Sequence, residues 1–256
     1  MPIDFQAPHN RESYTGREAS PDWRSAMRGI VDPAGLRVAD IGCGGGIYTR
    51  AWAELGATQV TGVDFSEEQL AAARASSDDP RLSFRHGTAL ATGLPAQSVD
   101  LVFERALLHH GIDRLAAVRE SGRVLAPGGR LIIQDRTMAD IALPGSPQHL
   151  RGYLFARFPR LLAIEAARRP APGELEAALG EAGFAAIGTS TLWETRSRYP
   201  SFDDLAAELR ARVGRSILHE LSDDELSELI AFLRQRLPEG EPLIDRDRWT
   251  IWSGRR

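Results

Sequence analysis

A carboxylate and a run of glycines come together in the segment 38–46, which reads Val-Ala-Asp-Ile-Gly-Cys-Gly-Gly-Gly. Asp40 stands two residues before Gly42, and Gly44 and Gly46 continue the run. Glycine adopts positive φ angles freely and lets a ligand approach the backbone closely. A pyrophosphate held by such a turn would be repelled by Asp40, whereas a ligand with an ammonium and a sulfonium would be attracted. The pattern therefore favours a positively charged ligand.

The residues around these glycines predict a strand, a tight turn and a helix. An apolar run over 36–41 leads into the turn, and a helical pattern of apolar residues begins at Ile47. The N-terminus of that helix would offer N–H groups to the ligand. Ile47 also stands where the dinucleotide pattern Gly-x-Gly-x-x-Gly needs its third glycine. The segment favours S-adenosylmethionine over NAD(P), with a nicotinamide-dependent oxidoreductase and a turn that binds nothing as alternatives.

Titratable side chains follow a second apolar run, at 99–103. Glu104, Arg105, His109 and His110 come directly after it. Because ligands bind outside the carboxyl ends of strands in open α/β sheets, chemistry is expected here. His109 is the first candidate general base, His110 the second and Glu104 the third, with a satisfied or surface histidine as the alternative. Arg105 could bind a carboxylate of the acceptor or of methionine, or pair with Glu104.

Methyl transfer from a sulfonium makes modest demands on a protein. The donor is already activated, so the protein must chiefly align the reactants in a dry pocket. A general base is needed only when the nucleophile arrives protonated. The six histidines are scattered, and neither a His-Glu-x-x-His nor a Cys-x-x-Cys pattern occurs, so no metal site is expected. Cys43 lies inside the glycine turn, where it is interpreted as a small residue that fits.

The nonapeptide 38–46 resembles the first motif of class I S-adenosylmethionine-dependent methyltransferases. The chain is most similar to the methyltransferase type 11 group, which includes ubiquinone-biosynthesis enzymes, over about residues 36–135. The resemblance implies a Rossmann-like α/β sheet, mostly parallel with an antiparallel edge strand, and helical cap elements over the substrate. It implies in-line methyl transfer to a small-molecule acceptor, with S-adenosylhomocysteine as product. A non-catalytic S-adenosylmethionine-binding module is the further alternative.

Three segments are expected to hold the adenosine part of the cofactor. Asp64, at the end of the second predicted strand, lies in reach of the ribose hydroxyls. Phe65 and Gln69 would lie beside the adenine, with core packing as the alternative for Phe65. The acid–alanine pair that the resemblance implies at the adenine edge reads Thr88-Ala89 here, so a hydroxyl replaces the carboxylate.

The methionine part is expected to meet the backbone of Glu104 and an N-terminal arm. Related methyltransferases imply that this arm folds over the cofactor, with Tyr14 closing the site and Arg17 near the methionine carboxylate; a solvated arm is the alternative. The predicted cofactor-binding residues are Tyr14, Arg17, Asp40, Gly42, Cys43, Gly44, Asp64, Phe65, Gln69, Thr88, Ala89, Glu104 and Arg105.

Strands and helices alternate from 36 to 135, which predicts a parallel sheet with right-handed crossovers. We interpret the chain as a single methyltransferase domain over 1–256. It would comprise an N-terminal arm and helix (1–35), a cofactor-binding core (36–140), and the remaining strands with a helical cap (141–256). Predicted helices are 22–31, 202–214 and 223–236, and predicted strands are 59–64, 82–89, 98–105, 130–135, 185–195 and 249–252.

Charge and composition narrow the partners. The net charge of −4 offers no basic face to a nucleic acid. All 31 basic residues are arginine, which removes lysine-based chemistry. Without a run of 18 apolar residues or a signal-like opening, we expect a cytoplasmic protein with no membrane partner. The sequence leaves a monomer or a homodimer open.

Overall fold

The computed structural model describes residues 18–212 and 214–256, so the predictions for Tyr14 and Arg17 lie outside the described residues. The strands are β1 (Arg37–Ile41), β2 (Gln59–Asp64), β3 (Leu82–His86), β4 (Val99–Arg105), β5 (Leu125–Asp135), β6 (Ala185–Tyr199) and β7 (Leu243–Arg255). They form one sheet in the order β3-β2-β1-β4-β5-β7-β6. β1 to β5 pair in parallel, whereas β7 is antiparallel to both β5 and β6. The predicted fold class is confirmed.

Helices connect and cover these strands. They are α1 (Pro21–Ile30), α2 (Ile47–Glu54), α3 (Glu67–Ala75), α4 (Arg114–Val124), α5 (Met138–Ile141), α6 (Leu150–Arg157), α7 (Leu161–Ala166), α8 (Glu174–Glu181), α9 (Phe202–Arg210) and α10 (Asp223–Arg234), with a 3₁₀ turn at Ser216–Glu220. Side-chain caps start several of them: Ser66, Asp113 and Ser222 each accept a backbone N–H of the first turn. The helix predicted over 202–214 is shorter because it ends at Arg210.

The sheet separates two apolar layers. Residues such as Phe103 face α1 and α2, where Trp23 and Trp52 pack edge-on against it. Alternate residues such as Val102 and Ile133 face α4 and α8. Side chains of neighbouring residues in a strand therefore reach opposite layers.

A third apolar core belongs to the helical cap and lies beyond one end of the sheet. The register pairs Asp135, the last residue of β5, with Thr250 of β7. Residues 243–249 of β7 therefore project past the carboxyl end of β5, still paired with β6. Helices α6, α9 and α10 pack together on this extension. The cap thus stands at the end of the sheet where the predicted site residues cluster.

The last two strands of the chain, β6 and β7, are longer than the sequence predicts. β6 continues to Tyr199, and β7 begins at Leu243. The two strands pair with each other along this extension, so a ladder forms where the sequence shows no apolar alternation. In the part of the chain that the structure describes, no helix is long and apolar enough to span a membrane.

Candidate active site

The glycine turn is held in place by a backbone carbonyl and a side chain of β2. Gly42, Gly44 and Gly46 have φ angles of 75°, 50° and 78°, a region that favours glycine. The Gly42 N–H donates to the Val63 carbonyl at 2.7 Å. The Gly44 N–H donates to Asp64 Oδ2 at 2.8 Å. The turn therefore has one defined shape before any ligand arrives.

Asp40 lies beneath this turn, on the side of the sheet that α2 covers. It is 2% exposed, and its Oδ2 accepts a hydrogen bond from Thr49 Oγ1 at 2.6 Å. Burial raises the pKa of Asp40 to about 7, against the opposing effect of the Thr49 hydrogen bond. Its protonation is therefore sensitive to pH near neutrality. A cation bound beside it would favour its charged form.

Asp64 holds the start of α3 as well as the glycine turn. Its Oδ1 accepts the Ser66 N–H at 2.9 Å, in addition to the Gly44 bond. Burial raises the pKa of this carboxyl group, and the hydrogen bonds from Ser66 and Gly44 oppose the rise. An ionised carboxylate accepts about four hydrogen bonds, so further acceptor sites exist. Ribose binding by Asp64 stays a prediction.

The residues predicted beside the adenine differ in exposure. Phe65 is 46% exposed, so its interpretation as a core residue is wrong. Gln69 is buried at the start of α3. Thr88 is exposed, and its hydroxyl accepts the Ala91 N–H at 3.1 Å, while Ala89 is buried. Adenine binding by this group stays a prediction.

Glu104 does not face the expected catalytic space. Its side chain points into the layer of α4, where Oε1 accepts a hydrogen bond from Ser121 Oγ at 2.5 Å. It is 1% exposed, and burial raises its pKa to about 7. The alternation of β4 sends Arg105 to the opposite layer, so the two side chains do not pair. A general-base role for Glu104 does not fit this placement.

Arg105 is bound by a residue from a distant strand. Its Nη2 donates to Glu194 Oε2 of β6 at 2.9 Å. Its guanidinium lies over the rings of Tyr48, at 4.4 Å, and Trp249, at 4.1 Å. Tyr48 donates to the other oxygen of Glu194. The ion-pair partner of Arg105 is therefore Glu194 and not Glu104.

His109 has the geometry of an oriented base. Its Nδ1 lies 3.1 Å from Asp135 Oδ2 and 3.2 Å from Oδ1, and the carboxylate is fully buried. Asp135 also accepts the Arg136 N–H at 2.7 Å and Arg169 Nη1 at 3.1 Å. Burial acts to raise the pKa of Asp135, but the nearby charges and the His109 hydrogen bond outweigh it and lower the pKa well below its usual range. The carboxylate stays ionised and fixes the imidazole.

His110 is a weaker candidate than His109. Its ring lies 4.1 Å from the ring of His109, centroid to centroid. Burial, followed by the charge of His109, lowers the pKa of His110 to about 4. An imidazole with a pKa of about 4 is a weak base and takes up a proton poorly at neutral pH. The structure brings the two histidines together and places Nδ1 of His109 within hydrogen-bonding distance of Asp135.

Three residues outside the set predicted from the sequence also lie at this site. Asp135 is the last residue of β5 and lies beside the carboxyl end of β4. Because ligands bind at the carboxyl ends of strands, the strand order alone would have indicated Asp135 as a site residue. Thr49 lies on the first turn of α2, where its hydroxyl reaches Asp40. Glu194 gives no local signal, because it comes from β6 and meets Arg105 across 89 residues of sequence. Cys43 packs its thiol against β2, near Gly62.

The part of the chain from β1 to β5 is similar to a known protein family. A family described as a methyltransferase domain matches residues 39–133, from β1 to β5. The match contains both the glycine turn and the tip of β4. Residues 39–133 are therefore similar to a methyltransferase domain. The resemblance of the nonapeptide is thereby confirmed, and neither a nicotinamide-dependent oxidoreductase nor a non-catalytic module is favoured.

The chain is also similar to curated proteins that are named as methyltransferases. The chain is 37% identical over 130 residues to the 27-O-demethylrifamycin SV methyltransferase of Amycolatopsis mediterranei, covering 48% of this chain and 47% of that protein. It is 36% identical over 118 residues to a ubiquinone biosynthesis O-methyltransferase of Xanthomonas axonopodis pv. citri, covering 44% and 49%. The chain spans about half the length of the curated relatives it matches.

Solved structures extend the likeness beyond the methyltransferase domain. An S-adenosylmethionine-dependent methyltransferase of Mesorhizobium loti has a TM-score of 0.54 at 25% identity, over 92% of this chain and 97% of that one. Phosphoethanolamine N-methyltransferase 2 of Haemonchus contortus, solved with S-adenosyl-L-methionine, has a TM-score of 0.62 at 19% identity, over 99% and 60%. The latter likeness concerns the fold alone.

Proposed function

We propose that this protein transfers the methyl group of S-adenosylmethionine to a hydroxyl oxygen of a small-molecule acceptor. The pairing of His109 with the buried carboxylate of Asp135 carries the choice of oxygen. A hydroxyl arrives protonated and is a poor nucleophile until a base takes its proton. The O-methyltransferase name of the ubiquinone relatives supports the same choice.

The residues of the glycine turn fit such a donor. Space is open above Gly44, because an added Cβ would meet nothing nearer than Gln69 Oε1 at 3.8 Å. Asp40 supplies a buried carboxyl group beneath the turn, suited to a cationic methionine part. When bound there, S-adenosylmethionine supplies an electrophilic methyl group on a sulfonium. We assign its charged end to Asp40 and its ribose to Asp64.

His109 would act through its second ring nitrogen. With Nδ1–H donating to Asp135, the Nε2 lone pair is the free basic position, and it takes the proton of the acceptor hydroxyl. Asp135 then stabilises the imidazolium that forms. His109 is the candidate catalytic residue, and Asp135 is a positioning residue because it acts through the imidazole.

The first test measures binding and turnover in sequence. Titration with S-adenosylmethionine, S-adenosylhomocysteine and NADH establishes the cofactor, and a panel of catechols, phenols and aliphatic alcohols is then screened for release of S-adenosylhomocysteine. We expect His109→Gln to lower kcat by about 100-fold or more with an accepted hydroxyl. Cofactor affinity should stay unchanged, because His109 contacts only the acceptor.

Asp135→Asn separates positioning from a structural role. We expect it to lower kcat more than it changes KM, because the imidazole loses the carboxylate that orients its ring. Turnover in His109→Gln equal to wild type would contradict the base assignment. Tight NADH binding without binding of either sulfur nucleoside would contradict the whole function.

A further inference from the structure

Arg136 is a buried guanidinium whose carboxylate partner among residues 18–212 and 214–256, Asp247, is shared with a second arginine. It follows directly after β5, and its Nη2 donates to Asp247 Oδ2 at 2.8 Å. Arg151 takes the same carboxylate with two bonds, from Nε to Oδ1 at 2.9 Å and from Nη2 to Oδ2 at 3.3 Å. Asp247 is thus engaged most fully by Arg151. One negative charge faces two positive charges.

The remaining donors of Arg136 are not used by the residues that the structure describes. Its Nε is buried and makes no hydrogen bond within that part of the chain. The side chain is 11% exposed, and its guanidinium carbon lies 3.6 Å from the ring centre of Trp249. Burial, followed by the charge of Arg151, lowers the pKa of Arg136 to about 9. This position would gain from an added negative charge.

Neighbouring guanidinium groups differ from Arg136 in their carboxylate partners, although Nε of Arg105 is likewise buried without a hydrogen bond in the described part of the chain. Arg105 has Glu194 as its own partner, and Arg169 has Glu165, bound through Nε at 2.8 Å. An acceptor carboxylate is one predicted ligand of Arg105, but Glu194 already meets that charge. Among the described residues, Arg136 has no carboxylate that it does not share with another guanidinium.

We infer that Arg136 anchors a carboxylate of the methyl acceptor, which makes the acceptor a hydroxy acid rather than a neutral alcohol or phenol. This inference rests on the proposed function. Arg136 is the next residue after Asp135, which holds His109, so the anion anchor and the base lie at the same strand end. The planar fork of a guanidinium suits a carboxylate, and the face of Trp249 keeps that fork in place.

The experiment compares acids with their uncharged esters on the protein saturated with S-adenosylhomocysteine. The probes are 4-hydroxybenzoate, 3,4-dihydroxybenzoate and 4-hydroxycinnamate, each beside its methyl ester, with dissociation constants measured by calorimetry. We expect at least one acid to bind about tenfold or more tightly than its ester. Arg136→Met should remove that preference, and Arg136→Lys should keep part of it.

Control measurements keep the outcome decisive. Arg119→Met removes an exposed arginine that pairs with Glu181 and should leave the preference intact. Arg136→Met should fold, because Arg151 still pairs with Asp247, and thermal unfolding checks this. If Arg136→Met fails to fold, the acid preference of the wild type and of Arg136→Lys decides.

Three results would overturn the inference. They are esters that bind as tightly as every acid, an acid preference that survives in Arg136→Met, and a loss of S-adenosylhomocysteine affinity in Arg136→Met. The last would mean that Arg136 serves the cofactor. Failure of the wild type to bind S-adenosylhomocysteine at all would instead contradict the proposed function, so the two failures are distinguishable.

Discussion

Asp40 and Glu104 are carboxyl groups of similar burial with different surroundings. Burial raises the pKa of each to about 7, and each accepts one hydroxyl hydrogen bond, from Thr49 and from Ser121. Asp40 lies beneath the glycine turn, where a bound cation can compensate its charge. Glu104 lies in the core layer of α4, and its Oε2 has no partner among residues 18–212 and 214–256. We therefore propose that the same carboxyl chemistry serves binding at Asp40, whereas it costs stability at Glu104.

Replacing Glu104 by Gln should stabilise the protein at alkaline pH. The pKa of Glu104 rises from 4.5 to about 7 on folding, so its effect on stability is most favourable below about pH 4.5 and is lost as the pH rises through 7. One pKa unit is worth about 1.4 kcal/mol, so Glu104→Gln should add up to about 3 kcal/mol to the free energy of unfolding at pH 8. Denaturant unfolding at pH 5 and pH 8 measures this.

The gain from Glu104→Gln should shrink at pH 5, where the wild-type carboxyl group is protonated in the folded state. An equal effect at both pH values would mean that ionisation of Glu104 is not the cause. A loss of stability at pH 8 would show that the carboxylate itself is needed in the core.

At the scale of elements, the strand, turn and helix from β1 to α2 could be predicted because their signals are local. Glycines mark the turn, and capping side chains such as Ser66 and Asp113 mark helix starts. The contacts of Arg105 could not, because its partner Glu194 lies on β6, which comes 89 residues later in the chain and pairs with β7. The alternation of side chains along β4 predicts that Glu104 and Arg105 point to opposite faces of the sheet. Which of the two faces holds the ligand depends on the folded sheet and does not follow from this alternation.

Gly46 and Gly44 form a matched pair for testing the turn. Both have positive φ angles, of 78° and 50°, so alanine at either position should cost about 1–2 kcal/mol of stability. A Cβ on Gly46 would also lie 3.1 Å from Phe84 and 3.2 Å from Ala73, whereas one on Gly44 would meet nothing nearer than Gln69 Oε1 at 3.8 Å. Denaturant unfolding should show Gly46→Ala to be the more destabilised variant.

Gly44→Ala should keep the fold and lose affinity for S-adenosylhomocysteine, because the open space at Gly44 is where we place the ligand. Equal stability losses in the two variants would argue against the crowding at Gly46. Unchanged affinity in Gly44→Ala would place the ligand elsewhere along the turn.

At the scale of the whole molecule, buried ion pairs join the cap to the sheet. Asp245 and Asp247 of β7 are fully or almost fully buried and meet Arg215, Arg196 and Arg151. Burial would raise the pKa of Asp247, but Arg136 and Arg151 outweigh it and hold the pKa well below its usual range. Such buried ion pairs add little to the free energy of unfolding when both partners are present, and they lower it strongly when one partner is removed.

Asp247→Asn should lower the free energy of unfolding by roughly 3–5 kcal/mol, since it leaves two buried guanidinium groups without a carboxylate. The depressed pKa implies that the contribution of Asp247 is present above about pH 4 and is lost as the pH falls below it. Thermal unfolding between pH 3 and pH 8 should therefore show the variant and the wild type converging in acid.

Asp203→Asn is the matched control, because Asp203 pairs with Arg234 on the surface, where its side chain is 84% exposed. We expect a change of no more than about 1 kcal/mol for this exposed pair. A similar loss in both variants would mean that the cap is not held by the buried pairs.

Calorimetric titration of S-adenosylmethionine into wild type and Asp40→Asn, at pH 6 and pH 8, tests directly whether the carboxylate of Asp40 binds the positively charged cofactor. In the free wild type the pKa of Asp40 is about 7, so protonation competes with a cationic ligand and affinity should fall between pH 8 and pH 6. Asp40→Asn should bind about tenfold or more weakly at pH 8 and lose that pH dependence. Equal affinity in the two proteins at pH 8, or preferential binding of NADH, would contradict the account.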